Sequence, residues 1–340
     1  MIPRLLGALL LAATFPSLLH AVTVEGLYGA TVPVVDRSAA ENERGIAEAF
    51  AQVLVKLTGD SSSATDPKLA KLRRKARSFV TVVGQAEGGS AQDGFRLRVE
   101  FDQRAVAAAL REAGLEPWPK ERPALRTWLA IRDAAGERFS ATEEDTPIFD
   151  ALAARANERG IPLERPPLPA LPARSRDGLL AKLVPEGPTA GAPPTLAVLL
   201  ETTDRKRWTL SWRQMLEGQP IEGKSEGEDP VLLVRQGLDG AIDRLAAHYG
   251  SAVAGAGVET ISLRLSGLRD AADFGMALKR LRELDVVQKL DITRAFDDAL
   301  DLRLQARGGL GGVSQGLRLD PAFAAQPDAP ATWRFTGATR

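Results

Sequence analysis

Runs of apolar residues with helical or alternating spacing divide the chain into short helices and strands. The clearest helical stripe comprises Ile46, Ala49, Phe50, Val53, Leu54 and Leu57. Ser38 and Glu41 form a capping-box pattern before this stripe, and Thr58-Gly59-Asp60 ends it. From Phe95 to Phe101, apolar residues alternate with Arg96, Arg98 and Glu100. That alternation predicts a strand with one buried face and one wet face.

The regions around these two elements predict further strands and helices. Val22 to Val34 predicts one strand with a bulge near Gly29. Asp66-Pro67 predicts the start of a second helix, with Leu69, Leu72 and Ala76 on its buried side. Phe79 to Val83 predicts a strand that precedes the alternating one, and Asp102 caps a helix that closes at Gly114.

Proline and glycine clusters divide the remaining chain into three predicted modules of mixed α/β (α+β) class. The first covers residues 22–118, and a proline-rich connector ends it. The second covers 123–250, where a β-α-β order predicts a parallel pair of strands, and it contains a proline-rich excursion at 162–194. The third covers 258–340 and predicts a ferredoxin-like βαββ arrangement whose hairpin turns at Asp297-Asp298.

The first 21 residues have the pattern of a cleavable secretory signal peptide. Arg4 precedes an apolar stretch from Leu5 to Phe15, then a Pro16-Ser17 break and a small residue, Ala21. We expect cleavage after Ala21, without lipidation, because no cysteine is present. No later run approaches about 20 apolar residues, so no transmembrane segment is expected in the mature chain. These features predict a periplasmic protein.

Composition excludes several kinds of chemistry. The chain has no cysteine and two histidines, which excludes disulfides, thiolate nucleophiles and His-rich or Cys-rich metal sites. The chain has 44 basic and 44 acidic residues, and this balanced net charge predicts no general electrostatic attraction for nucleic acid. His248, in the predicted last turn of a helix, complements the helix dipole without any ligand role.

One stretch matches the phosphate-binding P-loop pattern through Gly218, Gly223, Lys224 and Ser225. A working P-loop joins a buried strand directly to a helix, whereas here the helix is delayed to Pro230 and acidic residues intervene. We therefore interpret the match as a polar hairpin between two strands, and expect no cofactor. Asp297, Asp298 and Asp301 are an alternative acid cluster, although turn chemistry explains Asp-Asp equally well.

Six basic residues lie within ten positions of the second predicted helix. They are Lys68, Lys71, Arg73, Arg74, Lys75 and Arg77. The predicted placement is on the side away from the buried residues, which gives either a solvated face or a patch that meets an anionic partner.

Three segments together are similar to a known family of exported bacterial proteins. They are LYGATVPVVDRSAAENERGIAEAFAQVLVKLTGD from Leu27 to Asp60, VAAALREAGLEPW from Val106 to Trp118, and ALAARANERGIPLERP from Ala151 to Pro166. The chain thereby resembles domain of unknown function 2066 across most of residues 22–250. The resemblance implies an envelope protein of Gram-negative bacteria and carries no catalytic or binding residues to transfer.

The sequence thus predicts a non-enzymatic interaction or assembly factor of the cell envelope. Its partner would be an unidentified envelope protein or an anionic envelope surface, met by exposed strand edges or by the basic residues. One alternative is a small-molecule or glycan-binding protein with a cleft lined by Trp118 and Trp128. Another is a carboxylate-dependent hydrolase that acts on envelope glycans.

Overall fold

The computed structural model describes residues 21–85, 95–134, 136–138, 145–165, 180, 194–216, 218–250, 257–326 and 328–337. Within these residues the fold is mixed α/β, with seven α-helices and three sheets of three, six and five strands. A fourth, two-stranded pairing joins β1 (Ala21–Thr23) to β5 (Glu121–Pro123). The predicted mixed α/β class with three small sheets is confirmed, although the N-terminal sheet is antiparallel throughout. Residues 1–20, which hold most of the expected signal peptide, lie outside the described residues.

The N-terminal unit packs helices on one face of a three-stranded antiparallel sheet of order β2-β4-β3. Its elements are β2 (Gly29–Val34), α1 (Ala39–Thr58), α2 (Ala70–Arg74), β3 (Val80–Gln85), β4 (Phe95–Phe101) and α3 (Gln103–Glu112). The predicted apolar stripe of α1 is buried throughout. Ser38 Oγ caps the helix by accepting the Glu41 N–H. The Glu41 carboxylate accepts the N–H of Val35 and not that of Ser38, so only half of the predicted capping box forms in the usual way.

The predicted single strand from Val22 to Val34 is wrong, because the segment forms two strands in different sheets. Gly26 adopts a left-handed conformation at φ 68°, which allows the chain to turn between β1 and β2. The turn is closed by the Gly29 N–H, which donates to the Gly26 carbonyl. As a result β1 leaves the N-terminal sheet and pairs with the connector strand β5.

The central unit places two helices on one face of a six-stranded mixed sheet. Its further elements are β6 (Leu125–Asp133), β7 (Gly136–Arg138), α4 (Thr146–Glu158), β8 (Leu163–Glu164), β9 (Thr195–Glu201), β10 (Trp208–Leu216), β11 (Gln219–Gly227) and α5 (Pro230–Gly250). The order is β11-β10-β9-β6-β7, with β8 paired to β6. The predicted parallel β-α-β pair is confirmed in β6 and β8. Of the proline-rich excursion, residues 166–179 and 181–193 lie outside the described residues.

The C-terminal unit has the predicted βαββ arrangement followed by a second helix and two short strands. Its elements are β12 (Val258–Ser266), α6 (Ala271–Glu283), β13 (Val287–Ala295), β14 (Ala299–Arg307), α7 (Gly309–Leu319), β15 (Phe323–Ala325) and β16 (Thr332–Phe335). The order is β13-β14-β12-β16-β15. Strand β16 lies between β12 and β15 and runs parallel to β12. This inserted strand distinguishes the sheet from a simple ferredoxin-like order.

Candidate functional site

A network of buried arginines joins the N-terminal and central units. The Arg159 side chain is fully buried at the end of α4, and its guanidinium donates to Asp239 at 2.6 Å and to Asp243 at 2.5 Å. The same group donates to the Gly59 carbonyl, which lies just beyond α1. Asp243 also accepts the Ser61 N–H and hydroxyl. Each charge is therefore paired, as a buried ion pair must be to persist.

A second fully buried arginine, Arg122, ties the connector to both units. It donates to the Lys56 carbonyl at 2.7 Å and to the Gly160 carbonyl at 3.0 Å, and it stacks on the Trp118 ring. Burial lowers the pKa of Arg122, and the charge of Arg159 lowers it further. A guanidinium still stays protonated at neutral pH, so its role here is to satisfy backbone carbonyls.

The cleft lined by Trp118 and Trp128, on which the alternative of a ligand-binding protein depended, is wrong. Trp118 is buried in the core shared with Leu125 and Leu129. Trp128 alternates with those residues along β6 and packs on the opposite face of the sheet, with Ala130 and other apolar side chains. The two rings therefore line different faces and cannot bracket one ligand.

The basic segment, residues 68–77, is not the single helix that was expected. The chain forms a short 3₁₀ turn, then α2, then a second 3₁₀ turn over Ala76–Phe79. Leu69, Leu72 and Ala76 are buried as predicted. Two of the six cations are structurally committed, because Arg73 donates to the carbonyls of Ser63 and Asp66 and Arg77 lies 3.5 Å from Glu43.

The other four cations of the segment are available to a partner. Lys68, Lys71, Arg74 and Lys75 are exposed. Their side chains have no hydrogen bond or ion pair with any residue that the structure describes. The candidate anion-facing patch is therefore reduced from six residues to these four.

The edge strand that follows the basic segment carries no charge. Strand β3 reads VTVVGQ, and the side chains of Val82 and Val83 are 48% and 42% exposed. It lies at the free end of the order β2-β4-β3. An edge that is β-branched, uncharged and without proline is a template for pairing with another strand.

Other long sheet edges in the described part of the chain carry features that oppose such pairing. The opposite edge β2 contains Pro33, and β11 contains Pro220 with alternating Glu and Lys. Strand β13 carries Lys289, Asp291 and Arg294 and two register shifts. Charges, prolines and bulges are the devices by which proteins protect edges. Strand β3 has one register shift, between Val80 and Val82, but it carries neither a charge nor a proline, so it is the least protected of these four.

The P-loop residues lie in the hairpin of β10 and β11. Gly218 occupies the turn at φ 79°, while Gly223, Lys224 and Ser225 lie within strand β11, where the Trp212 ring covers Gly223. Lys224 is 3.3 Å from Glu226. No helix begins at these residues, so their N–H groups do not converge on a common point as in a phosphate cradle.

The remaining residues singled out in the sequence are distributed over separate elements. His248 lies in the last turn of α5, against the Tyr249 ring. Asp297 and Asp298 form the turn between β13 and β14, and Asp301 lies on β14 near Arg264. Trp208 and Trp212 pack on the same core as Leu210. These positions do not form one site.

The described residues contain no group of three or more histidines and carboxylates placed to hold a metal ion. None of the helices in that part of the chain is long and apolar enough to span a bilayer.

The features missed from the sequence are the arginine network, the exposure of β3, and a polar cleft beside Tyr28. Only β3 had a local signal, namely six uncharged residues directly after a basic segment.

Comparison with known families corrects the expected resemblance. Residues 21–119 match domain of unknown function 8605, which covers the N-terminal unit and part of the connector. The matching model is not domain of unknown function 2066, so that assignment is wrong. No curated protein matches the chain.

One solved structure is described as "Crystal structure of uncharacterized protein". It is 12% identical to this chain, and the alignment covers 37% of this chain and 87% of that one. Its TM-score of 0.17 is too low to support an argument about fold or function.

Proposed function

We propose that this protein is a non-enzymatic interaction protein of the bacterial cell envelope that holds an extended, acidic segment of a partner protein against strand β3. The observation that carries the proposal is the uncharged, exposed edge of β3. A partner strand there would gain main-chain hydrogen bonds, and side-chain contacts with Val82 and Val83 would add specificity.

The charges around β3 favour an acidic partner. Lys71, Arg74 and Lys75 are exposed immediately upstream, and Arg96 is exposed on the adjacent strand β4. Arg98 is also exposed but is paired with Glu100. These cations precede β3 in the sequence or lie on the neighbouring strand, and we propose that they attract a segment that carries Asp or Glu beside its β-forming residues. Such charges mainly raise the association rate and set orientation.

The location in the envelope rests on the N-terminal sequence. Met1 to Ala21 has the order of charged, apolar and small residues that export requires, and the chain contains no cysteine for a lipid anchor. We therefore propose that the protein acts in the periplasm and meets its partner there.

Neutralising the basic segment should weaken partner capture. In cells that export a tagged copy, mild crosslinking should yield one stoichiometric adduct, and the triple change Lys71→Gln, Arg74→Gln and Lys75→Gln should reduce its yield. At about 0.5 kcal/mol for each charge, the apparent affinity falls about tenfold. Quantitative mass spectrometry of the isolated adduct measures this loss.

A matched control removes three exposed charges elsewhere. Arg282, Arg303 and Arg318 lie exposed in the C-terminal unit, and changing all three to glutamine should leave the yield unchanged. Equal loss in both triple variants would contradict a role for the basic segment. Recovery of monomer alone, or binding of the purified protein only to phosphatidylglycerol vesicles, would contradict the proposed protein partner.

A further inference from the structure

A polar cleft lies where the N-terminal unit, the connector and the C-terminal unit meet. It has a volume of about 370 Å³, which is within the range of small-molecule sites. Seven ionisable side chains line it: Glu25, Tyr28, Arg104, Arg111, Lys120, Asp285 and Arg307. The four cations outnumber the two carboxylates, so the lining is net positive. The first four residues belong to the N-terminal unit and the last two to the C-terminal unit, so the cleft exists only in the assembled chain.

Most charges in the cleft are already balanced within the protein. Arg111 and Arg307 share the carboxylate of Glu116, at 3.1 and 3.2 Å. Lys120 donates its N–H to Asp285 at 3.0 Å, and its Nζ lies 3.7 Å from the same carboxylate. These pairs hold the walls of the cleft in place and keep two further guanidinium groups close to it.

Arg104 is the exception among the cations of the cleft. It is exposed at the first turn of α3. Its side chain forms no hydrogen bond or ion pair with any other part of the chain that the structure describes. A guanidinium in this state retains all its donors for a ligand, and its planar fork matches a carboxylate or a phosphate.

The Tyr28 hydroxyl is the second unused group. Burial raises the pKa of Tyr28 above its ordinary value, and the negative charge of Asp285 raises it further, while Arg111, Arg307 and Arg122 act in the opposite direction. The hydroxyl therefore stays protonated at neutral pH. It makes no hydrogen bond with the described residues, although it lines the cleft. It is thus a neutral donor without a partner among the described residues.

We propose that this cleft binds a small oxyanion, a carboxylate or a phosphate group. Arg104 pairs with the anion and the Tyr28 hydroxyl donates to it, while Arg111 and Arg307 provide a positive potential behind them. The inference does not depend on the proposed partner segment at β3, because the cleft and that edge use different residues.

Titration calorimetry of the full mature chain tests this site, with inorganic phosphate and succinate as separate probes. We expect saturable binding of at least one probe, with a dissociation constant of about 1 mM or tighter. Saturation by phosphate alone identifies a phosphate site, and saturation by succinate alone identifies a carboxylate site. Arg104→Gln and Tyr28→Phe should each weaken binding about tenfold or more, which corresponds to loss of one hydrogen bond to a charged group.

Arg37→Gln provides the matched control, because Arg37 is an exposed arginine of the same unit that does not line the cleft. Its binding should equal that of the wild type. Circular dichroism and thermal unfolding without probe establish that each variant is folded. Absence of saturable binding of both probes, or equal weakening by Arg37→Gln, would overturn the proposed site.

Discussion

Arg159→Met is expected to lower the free energy of unfolding by about 3 kcal/mol or more. The side chain is fully buried, and it pairs with Asp239 and Asp243 while it donates to the Gly59 carbonyl. Methionine fills a similar volume but removes the charge, so two carboxylates and one carbonyl lose a donor. Breaking a buried pair by removing one partner costs about 3 to 5 kcal/mol.

Part of this cost should be recovered by a second change. Asp239 keeps its pairing with Arg155 and Asp243 keeps its bonds from Ser61, which limits the loss. In the double variant Arg159→Met/Asp243→Asn one uncompensated charge is removed, so the free energy of unfolding should rise above that of the single variant. Urea unfolding followed by circular dichroism measures both values.

A control for the arginine change is available on the surface of the same unit. Arg126 pairs with Glu164 at 3.2 Å, and both side chains are partly exposed. Because such pairs contribute about 0 to 1 kcal/mol, Arg126→Met should lower the free energy of unfolding by less than about 1 kcal/mol. If Arg159→Met cost no more than this control, the arginine network would not hold the two units together.

Gly59→Ala is expected to destabilise the protein by about 3 kcal/mol. Gly59 follows α1 in a left-handed conformation at φ 72°, and its N–H donates to the Val55 carbonyl. A side chain in that conformation costs about 1 to 2 kcal/mol. The added Cβ would also lie 2.2 Å from the Ala246 Cβ and 2.8 Å from the Trp118 ring, which adds about 1 to 3 kcal/mol of overpacking.

The variant Gly26→Ala separates the conformational cost of a left-handed alanine from the cost of overpacking. Gly26 has a similar left-handed conformation, at φ 68°, but a Cβ there would meet no atom within 4 Å. This variant should therefore lose only the conformational term of about 1 to 2 kcal/mol. Thermal and urea unfolding of both variants give the comparison. Equal losses would show that the space around Gly59 relaxes and that the α1 end is not tightly packed against α5.

Local periodicity was enough to predict much of the fold. The apolar stripe from Ile46 to Leu57 defines the buried face of α1, and the alternation in β4 defines the buried face of that strand. Both faces follow from local spacing and do not depend on the rest of the fold. The basic segment is different, because the spacing of Leu69, Leu72 and Ala76 fits a helix and a chain of short turns equally well. Its turns are defined by backbone hydrogen bonds of i→i+3 spacing, such as Lys75 N–H to the Leu72 carbonyl and Ser78 N–H to the Lys75 carbonyl.

The candidate sites depended on information that no local pattern contains. Trp118 and Trp128 are separated because they pack on opposite faces of β6. Side chains alternate along a strand, so the positions of Leu125 and Leu129 already place Trp128 on the other face. The Arg159 network joins residues 80 to 100 positions apart. The exposure of β3 results from the sheet order, which places β4 between β2 and β3.

The most direct test of the central claim is a position-specific crosslink at the edge of β3. A photoreactive amino acid at position 83 is compared with one at position 221, since Ile221 is a partly exposed apolar residue on the protected edge β11. In exporting cells we predict one adduct from position 83, mapped by mass spectrometry to an extended, acidic segment, and none from position 221. Adducts from position 221 alone, or equal adducts from both positions, would contradict strand addition at β3.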